Sequence, residues 1–327
     1  MIVDPRVPAL FRRRPYLATR PYVSLGTFPT PVGRVDGLLP RDVELWVKRE
    51  DLAGAVYGGN KVRKLEFLLA DALVKRKQRV YTLGGWGSNH ALATALYARQ
   101  LGLACSLHLF PQPMSDKVKA QLAADERAGA DVYAAKGYLS VLPSLFRDRI
   151  DPDAYYIAGG GSSAVGTLGW VSAADELSEQ MERGELPHVD SVYVALGSGG
   201  TVAGLLAGWR GSPHAPEEIA AVRVVERIVC GYGPTRRLEA ETWSHLQPQS
   251  AAPLVPLRVI HDQIGRGYGH ATDAGLAAME RAAEVGLMLE PTYTAKAMAA
   301  LLADAESGKL DGKRVLFVST YGGPTPS

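Results

Sequence analysis

The alternation of short apolar runs with longer amphipathic segments along nearly the whole chain is the strongest constraint on its fold. The apolar runs are rich in β-branched and aromatic residues, which predicts strands, and the segments between them carry apolar side chains at helical spacing. Predicted strands cover residues 43–48, 79–83, 105–110, 131–134, 191–196, 221–229 and 314–319, and predicted helices cover 61–75, 91–101, 117–128, 172–183, 201–209, 273–285 and 295–303. Mostly apolar strands alternating with helices predict an α/β fold with largely parallel, covered sheets.

One long irregular region, around residues 210–216 and again 231–257, is rich in proline and glycine and is predicted to form surface loops. We find no internal repeat and no low-complexity tract. With 327 residues, the chain is long enough for two domains.

Charge and cysteine content narrow the class of protein. Thirty-six basic and 34 acidic residues leave a net charge of +2, which gives no general attraction to nucleic acid or to an anionic membrane. The run Arg12-Arg13-Arg14 is interpreted as a solvated arm, with a subunit contact as the alternative. Cys105, in an apolar run, and Cys230 match no metal-ligand spacing and suit a reducing compartment. No signal peptide or membrane-spanning stretch is recognisable, so we expect a cytoplasmic protein. Because the cysteines have no metal-ligand spacing, we expect no metal.

In sheets of this kind, ligands bind at the C-terminal ends of strands, so unusual residues in the strand-to-helix turns are functional candidates. In one such turn, two glycines and Asn60 directly precede Lys61, which opens a predicted helix. The positive end of the helix dipole makes an amine there easier to deprotonate, and Schiff-base formation needs a neutral amine. Taken alone, however, a solvated lysine is the simpler interpretation.

The turn Trp86-Gly87-Ser88-Asn89-His90 also joins a predicted strand to a helix. Ser88 and Asn89 are helix N-cap residues whose neighbouring backbone N–H groups can bind a carboxylate, although capping alone also explains Ser88. His90 is interpreted as a helix-start residue with a satisfied ring, because no partner ligands for a metal are spaced around it.

A glycine-rich turn with two hydroxyls follows the strand 191–196, with the sequence Gly197-Ser198-Gly199-Gly200-Thr201. Glycines let the backbone approach an oxyanion closely, so the turn favours a phosphate monoester. It lacks the lysine of a P-loop, and Val202 stands where the third glycine of a dinucleotide motif belongs. Because Glu226 follows in a later strand, a nicotinamide-type dinucleotide site remains an alternative.

The end of the last predicted strand carries Thr320 and Tyr321 before the pair Gly322-Gly323, and two tyrosines, Tyr268 and Tyr293, stand in loops before it. Tyrosines in such loops either cover a substrate or only pack.

Together, these motifs resemble the D-cysteine desulfhydrase and 1-aminocyclopropane-1-carboxylate deaminase family, one of the tryptophan-synthase-β-like (fold type II) pyridoxal phosphate enzymes. The resemblance runs from about Thr27 to Gly323, with the motifs in the family's order. Its most specific segment is Lys48-Arg49-Glu50-Asp51 followed by Gly59-Asn60-Lys61-Val62-Arg63-Lys64-Leu65-Glu66.

The resemblance implies an active site built on pyridoxal 5'-phosphate. Lys61 would hold the cofactor as a Schiff base, Asn89 would hydrogen-bond its phenolic oxygen, and Thr320 would place a hydroxyl near its pyridine nitrogen. The implied catalytic residues are Lys61, Ser88, Tyr268 and Tyr293, the implied phosphate-binding residues are Gly197, Ser198, Gly199, Gly200 and Thr201, and the substrate-binding residues are expected to be Trp86, Ser88, Asn89 and His90.

Within the family, the resemblance favours a desulfhydrase. The deaminases carry Glu where this chain has Thr294 and Leu where it has Thr320. A carboxylate near the pyridine nitrogen strengthens the cofactor as an electron sink, whereas a threonine hydroxyl leaves a weaker sink that suits prompt loss of a β-leaving group. Trp86-Gly87, which replaces an apolar residue and a Gln, and the inserted Tyr321 indicate a reshaped pocket.

The resemblance also implies two three-layer α/β/α domains with mostly parallel sheets and the cofactor in the cleft between them. Residues 1–58 with 164–327 would form the large domain and 59–163 the small one, in a homodimer. The expected function is pyridoxal-phosphate-dependent β-elimination from a small amino acid, with D-cysteine or a β-substituted D-alanine first, giving pyruvate, ammonia and sulfide. The alternatives are deamination, racemisation or β-replacement on a bulkier amino acid, and a non-catalytic binding or partner subunit.

Overall fold

The computed structural model describes residues 7–40, 42–137, 139–248 and 250–322. Its strands, in chain order, are β1 (Val32–Val35), β2 (Glu44–Lys48), β3 (Arg79–Gly85), β4 (Ala104–Phe110), β5 (Asp131–Ala134), β6 (Ala154–Ile157), β7 (Ser191–Leu196), β8 (Glu218–Arg223), β9 (Leu257–Ile260) and β10 (Arg314–Val318). Its α-helices are α1 (Ala9–Arg13), α2 (Lys61–Val74), α3 (Asn89–Gln100), α4 (Asp116–Arg127), α5 (Leu142–Ile150), α6 (Leu168–Glu182), α7 (Gly200–Trp209), α8 (Tyr232–His245), α9 (Asp273–Glu284) and α10 (Thr294–Glu306).

The strands form two sheets. The six-stranded sheet has the order β1-β2-β10-β7-β8-β9 and is parallel except for the antiparallel pair β1 and β2. The four-stranded sheet has the order β5-β4-β3-β6 and is parallel throughout. The predicted α/β fold with mostly parallel sheets is confirmed.

Each sheet packs against helices around a hydrophobic core of its own. The core of the six-stranded sheet includes Trp170 and Trp209, which are fully buried, and every residue of β7 is buried, as expected for a central strand covered on both faces. The core of the four-stranded sheet lies around Tyr97 and Leu107. The four-stranded sheet comes from one continuous segment, whereas the chain contributes to the six-stranded sheet both before and after it.

Several predicted elements were wrong or incomplete. Strand β8 begins at Glu218 and ends at Arg223, so residues 224–229 are not a strand. The segment predicted as a loop from 231 to 257 contains α8, which tolerates Pro234 because a proline in the first helical turn sacrifices no intrahelical hydrogen bond. The short elements β1, β6, β9 and α5 were not predicted; each strand among them has only four residues, too few for a clear period.

The arginine run near the N-terminus is not a solvated arm. Each arginine pairs with an acid on α6, and Leu10, just before the run, is fully buried. The pairs are Arg12 with Glu179 at 2.6 Å, Arg13 with Glu182 at 2.8 Å, and Arg14 with Asp175. The segment therefore docks on its own chain. Across the described ranges, no helix is both long enough and apolar enough to cross a lipid bilayer.

Candidate active site

A cavity of about 900 Å³ lies between the two sheets, where β3 and β7 end. Residues from all the turns singled out in the sequence line it, including Lys61, Ser88, Thr320 and the turn after β7. This is the position expected for a ligand in parallel α/β sheets, beyond the carboxyl ends of the strands.

Lys61 is the first residue of α2 and its side chain lines the cavity. Burial lowers the pKa of its ammonium from the usual 10.5 to about 8, and Glu290 acts in the opposite direction. The start of α2 adds the dipole effect expected from the sequence, but burial is the principal cause. At neutral pH, Lys61 is therefore neutral in a much larger fraction of molecules than an ordinary lysine, although the ammonium form still predominates.

The turn after β7 forms an anion-binding cradle. Gly199 adopts a positive φ of 86°, which a side-chain-bearing residue rarely does, and α7 starts at Gly200. Ser162 and Ser198 are hydrogen-bonded through their hydroxyls at 2.8 Å, and Ser162 Oγ accepts from Gly200 N at 3.1 Å. Hydroxyls and a helix N-terminus thus converge at the position predicted for a phosphate.

Two further residues, Lys64 and Asn60, complete the cradle. Neither was predicted to have a role of its own. A Cβ added to Gly200 would lie 2.8 Å from Lys64 Nζ, so the absence of a side chain at Gly200 lets the amine approach the turn. Lys64 Nζ donates to Gly160 O at 3.0 Å, and Asn60 Nδ2 donates to Thr201 Oγ1 at 3.0 Å. Burial and the charge of Lys61 lower the pKa of Lys64 well below its usual value, and a bound anion would favour the charged form.

Ser88, the N-cap residue of α3, also lines the cavity. Its Oγ accepts from Ala91 N at 3.3 Å, so the capping interpretation is correct. Asn89 Oδ1 accepts from Tyr57 Oη at 3.1 Å, which fixes the orientation of the amide. His90 lines the cavity, and its Nε2 lies 3.0 Å from Thr82 Oγ1, but its buried Nδ1 has no hydrogen-bond partner among the described residues, so the ring is satisfied at one nitrogen only. Burial lowers the pKa of His90 well below its usual value, so its ring is neutral.

Trp86, expected in the substrate site, does not line the cavity. Its indole packs against the core of the four-stranded sheet, because burying the large apolar surface of the ring is favourable. Tyr321 also lies outside the cavity wall, and its ring is contacted by Lys117 Nζ, which lies 4.9 Å from the centroid. These two aromatic residues therefore do not reshape the pocket by filling it. Gly323, at the end of the family motif, lies outside the described residues.

Tyr268 and Tyr293 form a pair in the cavity wall. Their hydroxyl oxygens are 2.5 Å apart, and burial raises the pKa of both phenols. Tyr268 N donates to Glu226 Oε1 at 3.0 Å, and this bond holds the loop around Tyr268 in place. Glu290 accepts from the backbone N–H of Tyr293 at 2.5 Å and so anchors the second tyrosine. Two tyrosines from distant loops thus meet through their polar ends instead of only packing.

Thr320 lies at the carboxyl end of β10 and lines the cavity, with about 9% of its surface exposed. Thr294 does not, because its Oγ1 accepts from Glu290 N at 2.8 Å within the turn that starts α10. Of the two threonines that distinguish the chain from the deaminases, only Thr320 reaches the cavity.

These residues fit pyridoxal phosphate. The cradle around Gly200 supplies hydroxyls, an amine and backbone N–H groups for a phosphate, and Lys61 supplies an amine of lowered pKa in the same cavity. Lys64 stands three residues after Lys61 on one helix face, a spacing from which its position could have been predicted. Ser162 follows a run of three glycines that the sequence analysis did not single out.

Comparison with known proteins agrees with this geometry. Residues 23–320 match the family described as pyridoxal-phosphate dependent enzymes. The chain is 33% identical over 94% of its length to a D-cysteine desulfhydrase of Salmonella schwarzengrund, of which it covers 96%. It is 32% identical over 91% of its length to the mitochondrial bifunctional D-cysteine desulfhydrase/1-aminocyclopropane-1-carboxylate deaminase of Arabidopsis thaliana, of which it covers 77%.

A solved structure of an ACC deaminase homologue matches with a TM-score of 0.81 and 30% identity, covering 98% of this chain and 96% of the other. A threonine deaminase from Solanum lycopersicum, at 16% identity and a TM-score of 0.68, shares the fold. The chain therefore belongs to the D-cysteine desulfhydrase and 1-aminocyclopropane-1-carboxylate deaminase family of pyridoxal-phosphate dependent enzymes, and it is a pyridoxal-phosphate dependent lyase.

Proposed function

We propose that this lyase catalyses β-elimination from a small amino acid, with D-cysteine or another β-substituted D-alanine as substrate, and that the products are pyruvate, ammonia and the β-leaving group, which is sulfide for D-cysteine. The observation that carries the proposal is that Lys61, with its lowered pKa, lines the same cavity as the phosphate-sized cradle and the tyrosine pair. The D-cysteine desulfhydrases among its relatives support the choice of substrate. So does the Thr320 hydroxyl in the cavity wall, at a position where the family resemblance implies an apolar side chain in the deaminases.

The residues that would hold the cofactor follow from their positions. Lys61 Nζ would bond to its carbonyl carbon, and the turn from Gly197 to Thr201, with Lys64 and Ser162, would bind its phosphate. Asn89 would donate to its phenolic oxygen from an amide that Tyr57 orients. When bound, pyridoxal phosphate supplies an electron sink for the bonds at the substrate's Cα.

The chain's own groups would bind the substrate and move its protons. Ser88 and the first turn of α3 would bind the carboxylate. His90 is neutral, so it would contribute no charge to this binding. Lys61 Nζ would remove the Cα proton, because its lowered pKa favours the neutral amine, whereas a tyrosine base would need a phenolate that the raised pKa of both tyrosines disfavours. The raised pKa of both tyrosines keeps the phenols protonated, so they can return a proton to a leaving sulfide.

The test is the absorption spectrum of the cofactor-loaded protein before and after addition of D-cysteine. We expect a visible band that shifts on addition while pyruvate and sulfide accumulate. A band that shifts only with other amino acids would move the substrate to one of those. A loaded protein that neither responds spectrally nor releases keto acid with any amino acid would contradict a catalytic function.

The lowered pKa of Lys61 predicts a distinctive pH profile for cofactor uptake. Only the deprotonated amine attacks the carbonyl carbon, so the rate at which the cofactor-free protein captures pyridoxal phosphate should rise with pH and level off above about pH 8. Stopped-flow absorbance at a series of pH values measures this rate. A rate that still climbs steeply towards pH 10 would show that Lys61 has the pKa of an ordinary lysine.

We further propose the domain division expected from the sequence, with residues 59–163 as the small domain and 1–58 with 164–327 as the large one. The two sheets with separate cores support this division. We propose a cytoplasmic location, which is supported by Cys105 and Cys230 being free thiols. We also propose a homodimer, which the family resemblance supports. Sedimentation of the loaded protein tests the assembly.

A further inference from the structure

The loop after β4 carries Gln112 into the cavity, next to the Ser88 turn on one side and the Tyr268 loop on the other. We propose that the Gln112 side-chain amide binds the α-carboxylate of the amino-acid substrate, together with Ser88 and the start of α3. This inference rests on the proposed function, because it assigns the group that recognises the substrate of the same site. No sequence motif pointed to Gln112.

Two glycines make room for the Gln112 amide. A Cβ added to Gly85, the last residue of β3, would overlap Gln112 Nε2. A Cβ added to Gly269 would lie 3.1 Å from Gln112 Oε1. The amide therefore spans the cleft, with its nitrogen over the end of the four-stranded sheet and its oxygen toward the Tyr268 loop.

The amide nitrogen is a donor in need of an acceptor. Gln112 Nε2 is shielded from solvent and, within the described part of the chain, has no partner with good hydrogen-bond geometry; its polar neighbour is the Tyr268 phenol, and a hydrogen bond from the amide to that phenol opposes the rise in its pKa that burial causes. A buried amide without a partner is unfavourable by an amount comparable to a lost hydrogen bond, so such groups are normally satisfied by protein, water or ligand. Because Gln112 lines the cavity, a bound ligand can supply the acceptor.

The surroundings of Nε2 favour a carboxylate as that acceptor. A Cβ added to Gly84 would lie 2.9 Å from Ser88 Oγ, and Gly84 and Gly85 are consecutive strand residues, so the Ser88 hydroxyl and the Gln112 amide approach the end of β3 from its two faces, and both line the cavity there. The first turn of α3 begins directly after Ser88 and contributes the positive end of its dipole. Gly87 offers no side chain in this turn. A substrate carboxylate beyond the end of β3 would accept hydrogen bonds from the Ser88 hydroxyl and the start of α3 with one oxygen and from the Gln112 amide with the other.

The test compares two ligands that differ only in the carboxylate, D-alanine and isopropylamine, by spectral titration of the cofactor-loaded protein. Gln112→Met keeps the size of the side chain but removes the donor, and we expect it to weaken D-alanine binding about 10- to 100-fold, the range for a hydrogen bond to a charged group. Isopropylamine binding should stay unchanged. Gln112→Glu places a negative charge beside the carboxylate and should weaken D-alanine binding further. Gln100→Met, at the exposed end of α3, is the matched control.

If Gln112→Met weakens the binding of both ligands equally, Gln112 only supports the shape of the pocket. If the variant binds D-alanine as the wild type does, Gln112 makes no contact with the carboxylate. Either result overturns the assignment. Keto-acid assays on the same wild-type preparation separate this inference from the proposed function. A wild-type enzyme that is active, paired with a Gln112→Met variant that binds D-alanine normally, contradicts the role of Gln112 alone. A wild-type protein that releases no keto acid from any amino acid contradicts the proposed function itself.

Discussion

Replacing Lys61 with alanine should abolish turnover while leaving the fold intact. Lys61 is the amine that lines the cavity with a pKa lowered to about 8, and it is a candidate for proton transfer at the substrate's Cα. Loss of a positioned acid or base alone lowers rates by about 10²–10⁴-fold, and loss of the covalent anchor adds to that. Because α2 begins at this residue and alanine is a good helix former, the helix should persist.

The measurement is keto-acid release together with borohydride reduction and peptide mapping. In the wild type, borohydride should fix the cofactor on the peptide that contains Lys61, and in Lys61→Ala no peptide should carry it. Lys75→Ala is the matched control, since Lys75 follows the same helix and is exposed, and its partners, Asp71 at 2.7 Å and the Tyr155 ring, are not part of the cavity wall. A Lys61→Ala variant with full activity, or a cofactor fixed elsewhere in the wild type, would refute the assignment.

The position of Lys61 could be predicted because its signal is local. Two glycines and Asn60 before an amphipathic helix already place an amine at a helix N-terminus, and strand–helix alternation places that terminus at the cavity edge of a sheet. The glycine turn after β7 is local in the same way. Both predictions depend on residues adjacent in sequence, which is why the structure reproduces them.

Contacts between distant segments could not be read in the same way. Ser162 and Ser198 are 36 positions apart in the sequence, and Tyr57 and Asn89 are 32 apart. Contacts at such separations produce no periodic pattern in the sequence from which they could be predicted. Trp86 was assigned to the substrate because it shares a turn with Ser88. The direction of its side chain was decided instead by the apolar core behind the turn, which no local pattern reveals.

Three residues of the family motif without an expected role, Lys48, Glu50 and Arg63, meet Glu176 of α6 in one buried ion cluster. Arg63 Nε donates to Glu50 Oε2 at 2.7 Å, and Arg63 Nη2 donates to Glu176 Oε1 at 2.9 Å. Lys48 Nζ donates to Glu176 Oε1 at 2.5 Å. All four side chains are at most 3% exposed. The cluster ties β2 and α6 to α2, two residues after Lys61, so it holds the helix that presents the amine.

Arg63→Met should therefore destabilise the protein strongly. The substitution leaves Lys48 as the one cation of this cluster beside the buried carboxylates of Glu50 and Glu176. Besides it, these carboxylates keep only neutral donors from Thr30 among the residues that the structure describes. Breaking a buried pair in this way lowers the free energy of unfolding by about 3–5 kcal/mol. Chemical denaturation followed by circular dichroism measures the change. Arg34→Met is the matched control, because the pair Arg34–Asp36 is exposed and such pairs contribute about 0–1 kcal/mol.

The destabilisation should also depend on pH in a direction that the cluster fixes. Burial acts to raise the pKa of Glu176, but the charges of Arg63 and Lys48 outweigh it and lower the pKa from 4.5 to about 2. A carboxyl whose folded-state pKa is depressed stabilises the fold above its unfolded pKa, and this contribution is lost as the pH falls toward the folded value. The gap in unfolding free energy between wild type and Arg63→Met should thus be widest near neutral pH and narrow below about pH 4.5. A gap that stays constant down to pH 3 would mean that Arg63 stabilises the protein through packing and not through its charge.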